Sequence, residues 1–197
     1  MKILHLSDTH GIHRKIKQLP DADILVHSGD FTKAGSEAEA IDFMDWLCEL
    51  PYPHKIFICG NHDECMFDAH VDGLDANVHY LCHSGIIIND VKFYGVPTFL
   101  NDDFTRHQSR QYDNIPADTD VVITHVPPYG ILDFNGYYYY GSEDLLMRVS
   151  ELSPRLHLFG HIHSQHGITQ LGCTTFSNGS IVSDDDTHLQ VPNLIVL

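Results

Sequence analysis

Five segments of the chain end a short apolar run in residues able to ligate a metal. They are Asp8-Thr9-His10, Gly29-Asp30, Gly60-Asn61-His62-Asp63, Thr124-His125 and Gly160-His161-Ile162-His163. This mixture of carboxylate, imidazole and amide donors suits divalent Mn, Fe or Zn better than an all-oxygen calcium site does. An Asp after a strand is, taken alone, more often a turn former or a helix cap than a ligand. Five such segments in one chain point instead to a shared metal cluster. His161 and His163 sharpen the point, because alternate residues of an extended segment face one way, and Asp8 and His10 repeat the spacing. Gly29, Gly60 and Gly160 each precede a candidate ligand, where they are expected to let the backbone turn sharply.

Ligand sites collect at the carboxyl ends of strands in α/β sheets, so the apolar runs before these segments must be strands. Residues 2–6, 24–27 and 55–59 are predicted as parallel strands buried on both faces. Between the second and third, Ser36-Glu37-Ala38-Glu39 is a capping box. Ile41, Phe43, Met44, Leu47 and Leu50 follow at helical spacing and Pro51 ends the run, which predicts an amphipathic helix with its apolar side in the core. The second half predicts strands over 86–89, 92–96, 121–124, 156–159, 174–177 and 194–197, with a helix over Glu143–Leu152 stopped by Pro154. The whole, residues 1–197, is expected to be one α/β domain of two packed sheets covered by helices.

Composition narrows the partners. With 197 residues, 43% of them hydrophobic, the chain can bury a full core. Its start reads as a strand rather than a secretory signal, and no stretch approaches the roughly 20 apolar residues of a bilayer span. The expectation is a soluble, cytoplasmic protein with no membrane partner. Five cysteines without a C-x-x-C pair argue against disulfides and a thiolate zinc site, leaving core thiols. A formal net charge of −16 repels duplex nucleic acid and favours small substrates. The 16 histidines exceed the 11 lysines and arginines. Of these, His5, His27, His54, His79 and His157 lie in or beside strand-like runs and are expected to be structural. Asp184-Asp185-Asp186 is expected to be a solvated loop.

The ordered pattern D-x-H, G-D, G-N-H-[DE], H and G-H-x-H, spread from residue 8 to residue 163, resembles the signature of the calcineurin-like metallophosphoesterase superfamily. The run His125-Val126-Pro127-Pro128-Tyr129-Gly130-Ile131-Leu132-Asp133, with Leu156-His157-Leu158-Phe159-Gly160-His161-Ile162-His163, is similar to its MPPED-like (metallophosphoesterase domain-containing) branch. Members of that branch include metal-dependent phosphodiesterases acting on cyclic nucleotides. The resemblance implies a layered α/β/β/α sandwich of two mixed sheets flanked by helices, holding two divalent metal ions. Asp8, His10 and His163 would bind the first ion, Asn61, His125 and His161 the second, and Asp30 would bridge both. Mn²⁺ is the expected metal, with Fe, Zn²⁺ or Co²⁺ as alternatives.

His62 falls outside that ligand set and is the expected general acid, with Asp63 beside it to orient it and keep it protonated. A hydroxide between the metals would attack in line while both cations polarise the phosphoryl oxygens. The expected substrate is a small phosphodiester, cyclic nucleotides among the candidates. The nearest alternative is a phosphomonoesterase on a small metabolite, and further alternatives are a noncatalytic interaction module or a nuclease. The superfamily's protein phosphatases carry an Arg in the third motif and a D-R-G after the second, where this chain has Ile58-Cys59-Gly60-Asn61 and Gly29-Asp30-Phe31-Thr32. In the stretch after His125, Tyr129, Phe134 and Tyr137 to Tyr140 could wall the pocket and stack on a nucleobase, or pack the loop onto the domain. Arg106 and Arg110 could assist the phosphate, and His13 could support the cluster or simply start a helix. Asn178-Gly179-Ser180 reads as a turn near the metal loops.

Overall fold

The chain runs β1 (Lys2–Leu6), β2 (Ile24–His27), α1 (Glu37–Glu49), β3 (His54–Phe57), β4 (Val78–Tyr80), β5 (Ser84–Ile88), β6 (Val91–Val96), α2 (Gln108–Asp113), β7 (Val121–Thr124), α3 (Glu143–Leu152), β8 (Leu156–Phe159), β9 (Gly167–Leu171), β10 (Thr174–Asn178) and β11 (Asn193–Val196). The computed structural model describes every residue except Gln18, residues 101–107 and residues 184–188, and leaves the side chains of 108–110 undescribed. Arg106, the Arg110 side chain and the 184–186 acidic run therefore lie outside the described residues. One sheet has the order β11-β1-β2-β3-β4 and the other β5-β6-β7-β8-β10-β9. In each the central strands are parallel, and β11, β5 and β9 are antiparallel edges.

Period-two alternation divides the side chains among three apolar layers. Ile3, Ile24, Val26, Ile56 and Ile58 of the first sheet meet Phe93, Val121, Ile123, Leu156 and Leu158 of the second. Their neighbours Leu4, Leu6, Leu25 and Phe57 point the other way, onto α1. On the far side of the second sheet, Tyr94, Val96, Val122 and Phe159 pack against Tyr112 of α2 and Leu145 and Val149 of α3. The result is the expected α/β/β/α layering of two mixed sheets. The capping box holds: Ser36 Oγ accepts from the Glu39 N–H and the Glu39 carboxylate accepts from the Ser36 N–H.

Several details differ from expectation. Helix α1 buries Ala40, Phe43, Trp46 and Leu47, while Ile41 is 49% exposed. Phe31 stacks on Phe43 at 4.3 Å, so the aromatic side of the helix faces the sheet. All five cysteines are thiols, but only Cys59 is buried, and Cys82 and Cys173 are exposed. Strand β3 ends at Phe57, earlier than the predicted residue 59, because the chain turns away toward Gly60. Strands β4 and β9 and helix α2 were not predicted. The first is only three residues long, and β9 is an edge strand of mixed, mostly exposed residues without apolar alternation.

His5, His27 and His157 are fully buried beneath the loops. The His5 ring bridges the sheets, with Nδ1 2.8 Å from Ser177 Oγ and Nε2 2.9 Å from Ser28 Oγ. His27 meets Thr9 Oγ1 at 3.1 Å and His157 meets Thr124 Oγ1 at 2.9 Å. His54 and His79 are only half-buried. Burial pushes the His157 pKa down to about 3, and burial, with His13 and His125 nearby, does the same to His27. The unfolded chain binds these protons near pH 6.5 while the native state stays neutral, so stability present above that pH is lost as pH falls toward 3. Each such histidine steepens the loss by up to about 1.4 kcal/mol per pH unit. Unfolding free energies measured by urea titration in chelator between pH 7 and 4 should therefore fall, and His157→Gln should lessen the slope by about one proton. An unchanged slope in that variant would mean that His157 is not neutral in the native state.

Candidate metal centre

Every expected site residue lies just beyond the carboxyl end of a parallel strand, on loops from both sheets that meet at one edge of the sandwich. The sheets join there: the Ser7 N–H donates to Gly179 O (2.7 Å), and the Ile181 N–H donates to Ser7 O (3.1 Å). The loops after β1 and β2 then continue side by side, the Asp8 N–H donating to Gly29 O and the His10 N–H to Asp30 O. Thr9 turns inward to His27, leaving Asp8 and His10 on the outer side.

The donor atoms gather in three overlapping groups. Asp8, His10 and His163 form one, Asp30, His125 and His161 another, and His10, Asp30 and His62 a third that links them, with the ligating atoms of each within 4.8 Å. His163 Nε2 is 3.5 Å from Asp8 Oδ1 and 3.3 Å from His10 Nε2. His125 Nε2 is 3.0 Å from Asn61 Oδ1 and 3.3 Å from Asp30 Oδ2. The same Asp30 oxygen is 3.9 Å from His10 Nε2, so it lies between the groups. A cavity of about 310 Å³ opens over them, lined by His10, Asp30, Lys33, Asn61, His62, His161 and His163.

These donors fit metal ions. His10 Nδ1 lies 3.1 Å from Thr32 O and His125 Nδ1 2.9 Å from Ser28 O, contacts in which the ring nitrogen must donate. In the neutral His10 ring the Nε2 lone pair then faces His163 Nε2, while His125 donates from Nε2 to Asn61 Oδ1, a place where a metal ion can replace the proton. The cluster also holds a positive charge of its own. His125 is fully buried, which disfavours its charged form, yet the adjacent Asp30 carboxylate lifts its pKa to about 10. Burial and the positive His125 together push His161 down to about 4. Although burial opposes it, contact with His163 and the charge of His125 hold the Asp8 carboxyl well below its ordinary range.

The loops are held open by strained backbone and dense local bonding. Asp8, His10, Asp30 and His161 have φ of 54°, 42°, 56° and 71°, in the left-handed region that costs non-glycine residues on the order of 1 kcal/mol each. His161 and His163 thus do not share one face of an extended segment. His161 is left-handed, His163 starts a 3₁₀ turn, and the two reach different donor groups. The glycines also serve differently from expectation. Gly29 does turn at φ 101°, but a Cβ on Gly60 would meet Asp30 Oδ1 at 2.2 Å, and one on Gly160 would meet Asp8 Oδ2 at 2.1 Å. Close approach, not turning, excludes a side chain at those two positions.

Asp63 departs most from its expected place. Its buried carboxylate accepts the N–H groups of Gly60 (2.8 Å), Asp30 (2.8 Å) and Thr32 (2.9 Å), clamping the β2 and β3 loops together. Burial and the nearby Asp30 charge push this carboxyl up to about 7, against the pull of those donors. The His62 ring is instead oriented by Lys33 O, 3.1 Å from its Nδ1. It stands exposed beside His10, with ring centroids 4.8 Å apart. His13 is bound to Asp42 at 3.0 Å, in a separate cluster.

Sequence reasoning missed Lys33 and Ser180. Lys33 lines the cavity, and Ser180 Oγ donates to Asp8 Oδ2 at 2.8 Å. Ser180 follows β10, parallel to β8, so the strand-end rule that found the ligands applied to it as well. Asn178 is buried, donating to Ile162 O at 2.9 Å and accepting from the Ser180 N–H, which makes the tripeptide a brace under the metal loops.

Comparison with known proteins agrees with this architecture. The calcineurin-like phosphoesterase family profile matches residues 1–165. A UPF0046 protein of Caenorhabditis elegans is 36% identical over 91% of this chain and 69% of its own length. Human metallophosphoesterase domain-containing protein 1 is 33% identical over 98% of this chain and 69% of its own length. The crystal structure of TT1561 from Thermus thermophilus superposes with a TM-score of 0.66 at 15% identity, covering 91% of this chain and 88% of that one, and so shares the fold. The chain belongs to the calcineurin-like phosphoesterase family of metal-dependent phosphoester hydrolases, in the branch of the metallophosphoesterase domain-containing proteins.

Proposed function

We propose that this protein is a dinuclear-metal phosphodiesterase for small diesters, cyclic nucleotides among them, with His62 as general acid. The place of the Asp30 carboxylate, 3.9 Å from His10 Nε2 of one donor group and 3.3 Å from His125 Nε2 of the other, carries the reading. Asp8, His10 and His163 would hold the first ion, Asn61, His125 and His161 the second, and the Asp30 carboxylate would serve both. The bound ions, Mn²⁺ or alternatively Fe, Zn²⁺ or Co²⁺, would supply Lewis acidity toward the phosphoryl oxygens and lower the pKa of water.

The protein's own groups do the rest. The His62 N–H holds Asp30 Oδ1 at 2.8 Å, which turns Oδ2 toward His10 and His125. With Nδ1 engaged by Lys33 O, the His62 ring presents Nε2 to donate a proton to the departing alkoxide. Asp63 acts by positioning: it fixes the peptides of Gly60, Asp30 and Thr32, and with them the bridging carboxylate. Lys33 lines the cavity, and among the described residues no arginine does. A single point charge without a guanidinium fork suits the one negative charge of a diester better than the two of a monoester.

Three outcomes test this reading. Chelation should abolish turnover and Mn²⁺ should restore it, and by elemental analysis Asp30→Ala should retain less metal than His163→Ala. Two ions kept in Asp30→Ala would remove the bridge. Relative kcat/KM on cyclic nucleotides, an aryl diester, an aryl monoester and single-stranded DNA should favour the small diesters, and a large monoester preference would overturn the diester assignment. His62→Ala should keep both ions yet lose about 10²–10⁴-fold in rate on a cyclic nucleotide. The loss should shrink for a nitrophenolate leaving group, which departs unprotonated, so equal impairment on both substrates with metal content intact would deny His62 the acid role.

A further inference from the structure

Four consecutive tyrosines, Tyr137 to Tyr140, stand 84%, 69%, 56% and 48% exposed on a loop whose backbone is tied down. The buried Asp133 carboxylate accepts the N–H groups of Gly130 (2.9 Å) and Gly141 (3.0 Å). Asn135 Oδ1 accepts those of Tyr137 and Tyr138, both at 3.0 Å, and the Tyr140 N–H donates to Asp133 O at 3.0 Å. A Cβ on Gly141 would meet Pro128 O at 2.5 Å, so the loop is seated firmly on the segment leaving His125.

The rings divide by what they touch. Tyr139 packs on Phe134 (4.9 Å) and Tyr129 (5.6 Å) and braces the loop. Tyr140 lies 6.5 Å from the His161 ring, and Tyr138 lies a further 6.5 Å from Tyr140, so aromatic surface extends outward from the metal centre. His62 stands at the opposite, His10, end. If the leaving oxygen points to His62, the ester group that stays on phosphorus points toward Tyr140. A ring held in place but uncovered in water stabilises the fold little, whereas an aromatic face stacks on any flat ring laid over it.

Resting on the diesterase reading, we propose that Tyr140, extended by Tyr138, is the docking face for a flat ring on the retained side of the substrate. It sets a preference for ring-bearing diesters by lowering KM, without entering the chemistry. The strongly negative surface favours a single small ring-bearing group over a long polyanion.

The test uses two diesters with the same nitrophenolate leaving group, thymidine 5′-(p-nitrophenyl) phosphate and methyl p-nitrophenyl phosphate, on Mn²⁺-loaded protein. Tyr140→Ala should raise KM for the nucleoside ester about tenfold and leave its kcat unchanged. Both constants for the methyl ester should stay as they are, Tyr140→Phe should restore the nucleoside KM, and the outward Tyr137→Ala should change neither substrate. Equal effects on both esters, or a change in sedimentation with no change in KM, would overturn the docking face while leaving the diesterase intact. A wild-type protein that cleaves neither diester but does cleave an aryl monoester would instead remove the reading beneath it.

Discussion

Imidazole nitrogens, an amide oxygen and carboxylates from both sheets have been brought within hydrogen-bond distance of one another, and much of the surrounding structure follows from that constraint. His125 Nε2 faces Asn61 Oδ1 at 3.0 Å, and His163 Nε2 faces His10 Nε2 at 3.3 Å. The loops that carry these groups come from distant parts of the chain. They are held by left-handed backbone at Asp8, His10, Asp30 and His161 and by carbonyls that fix the ring tautomers. Beneath them, a buried carboxylate at Asp63 gathers peptide N–H groups and Ser180 braces Asp8. Preorganisation of this kind keeps the ligands in place before any ion arrives, so binding energy is not spent on assembling them.

The large features of this arrangement were legible in the sequence because they follow from short-range rules. Strands buried on both faces read as apolar runs, and a run that stops at Gly-Asp, Gly-Asn-His or Gly-His-x-His announces its own chemistry. The Ser36–Glu39 capping box and α3 were equally plain. What escaped was set by tertiary neighbours. Gly60 and Gly160 look like turn glycines, yet carboxylate oxygens occupy the space a Cβ would need. Asp63 sits next to His62 in the chain, but its acceptors are filled by peptides of the distant Asp30 and Thr32 as well as by Gly60. Ser180 looked generic because a hydroxyl acquires its role only when another chain segment arrives.

The same distinction separates the family's chemistry from its selectivity. The donors come from strand ends, whose positions the packing of the two sheets constrains. The surroundings of the cavity come from loops: Lys33 after β2 lines it, and the exposed tyrosines stand on the loop after β7. Loop residues can change without disturbing the layers, which is how one scaffold serves many phosphoesters.

The brace between Ser180 and Asp8 spans 172 residues of chain. The Asp8 carboxylate, already held by the His161 N–H, therefore gains this second support only when β10 has been made and has joined β8, and contacts of such sequence separation form late and slowly. A nascent fragment ending before this strand would carry the metal-binding side chains without the support that arranges them. The order of synthesis is thereby written into the site: its donors are all made by residue 163, and the last hydroxyl that braces them arrives with the end of β10.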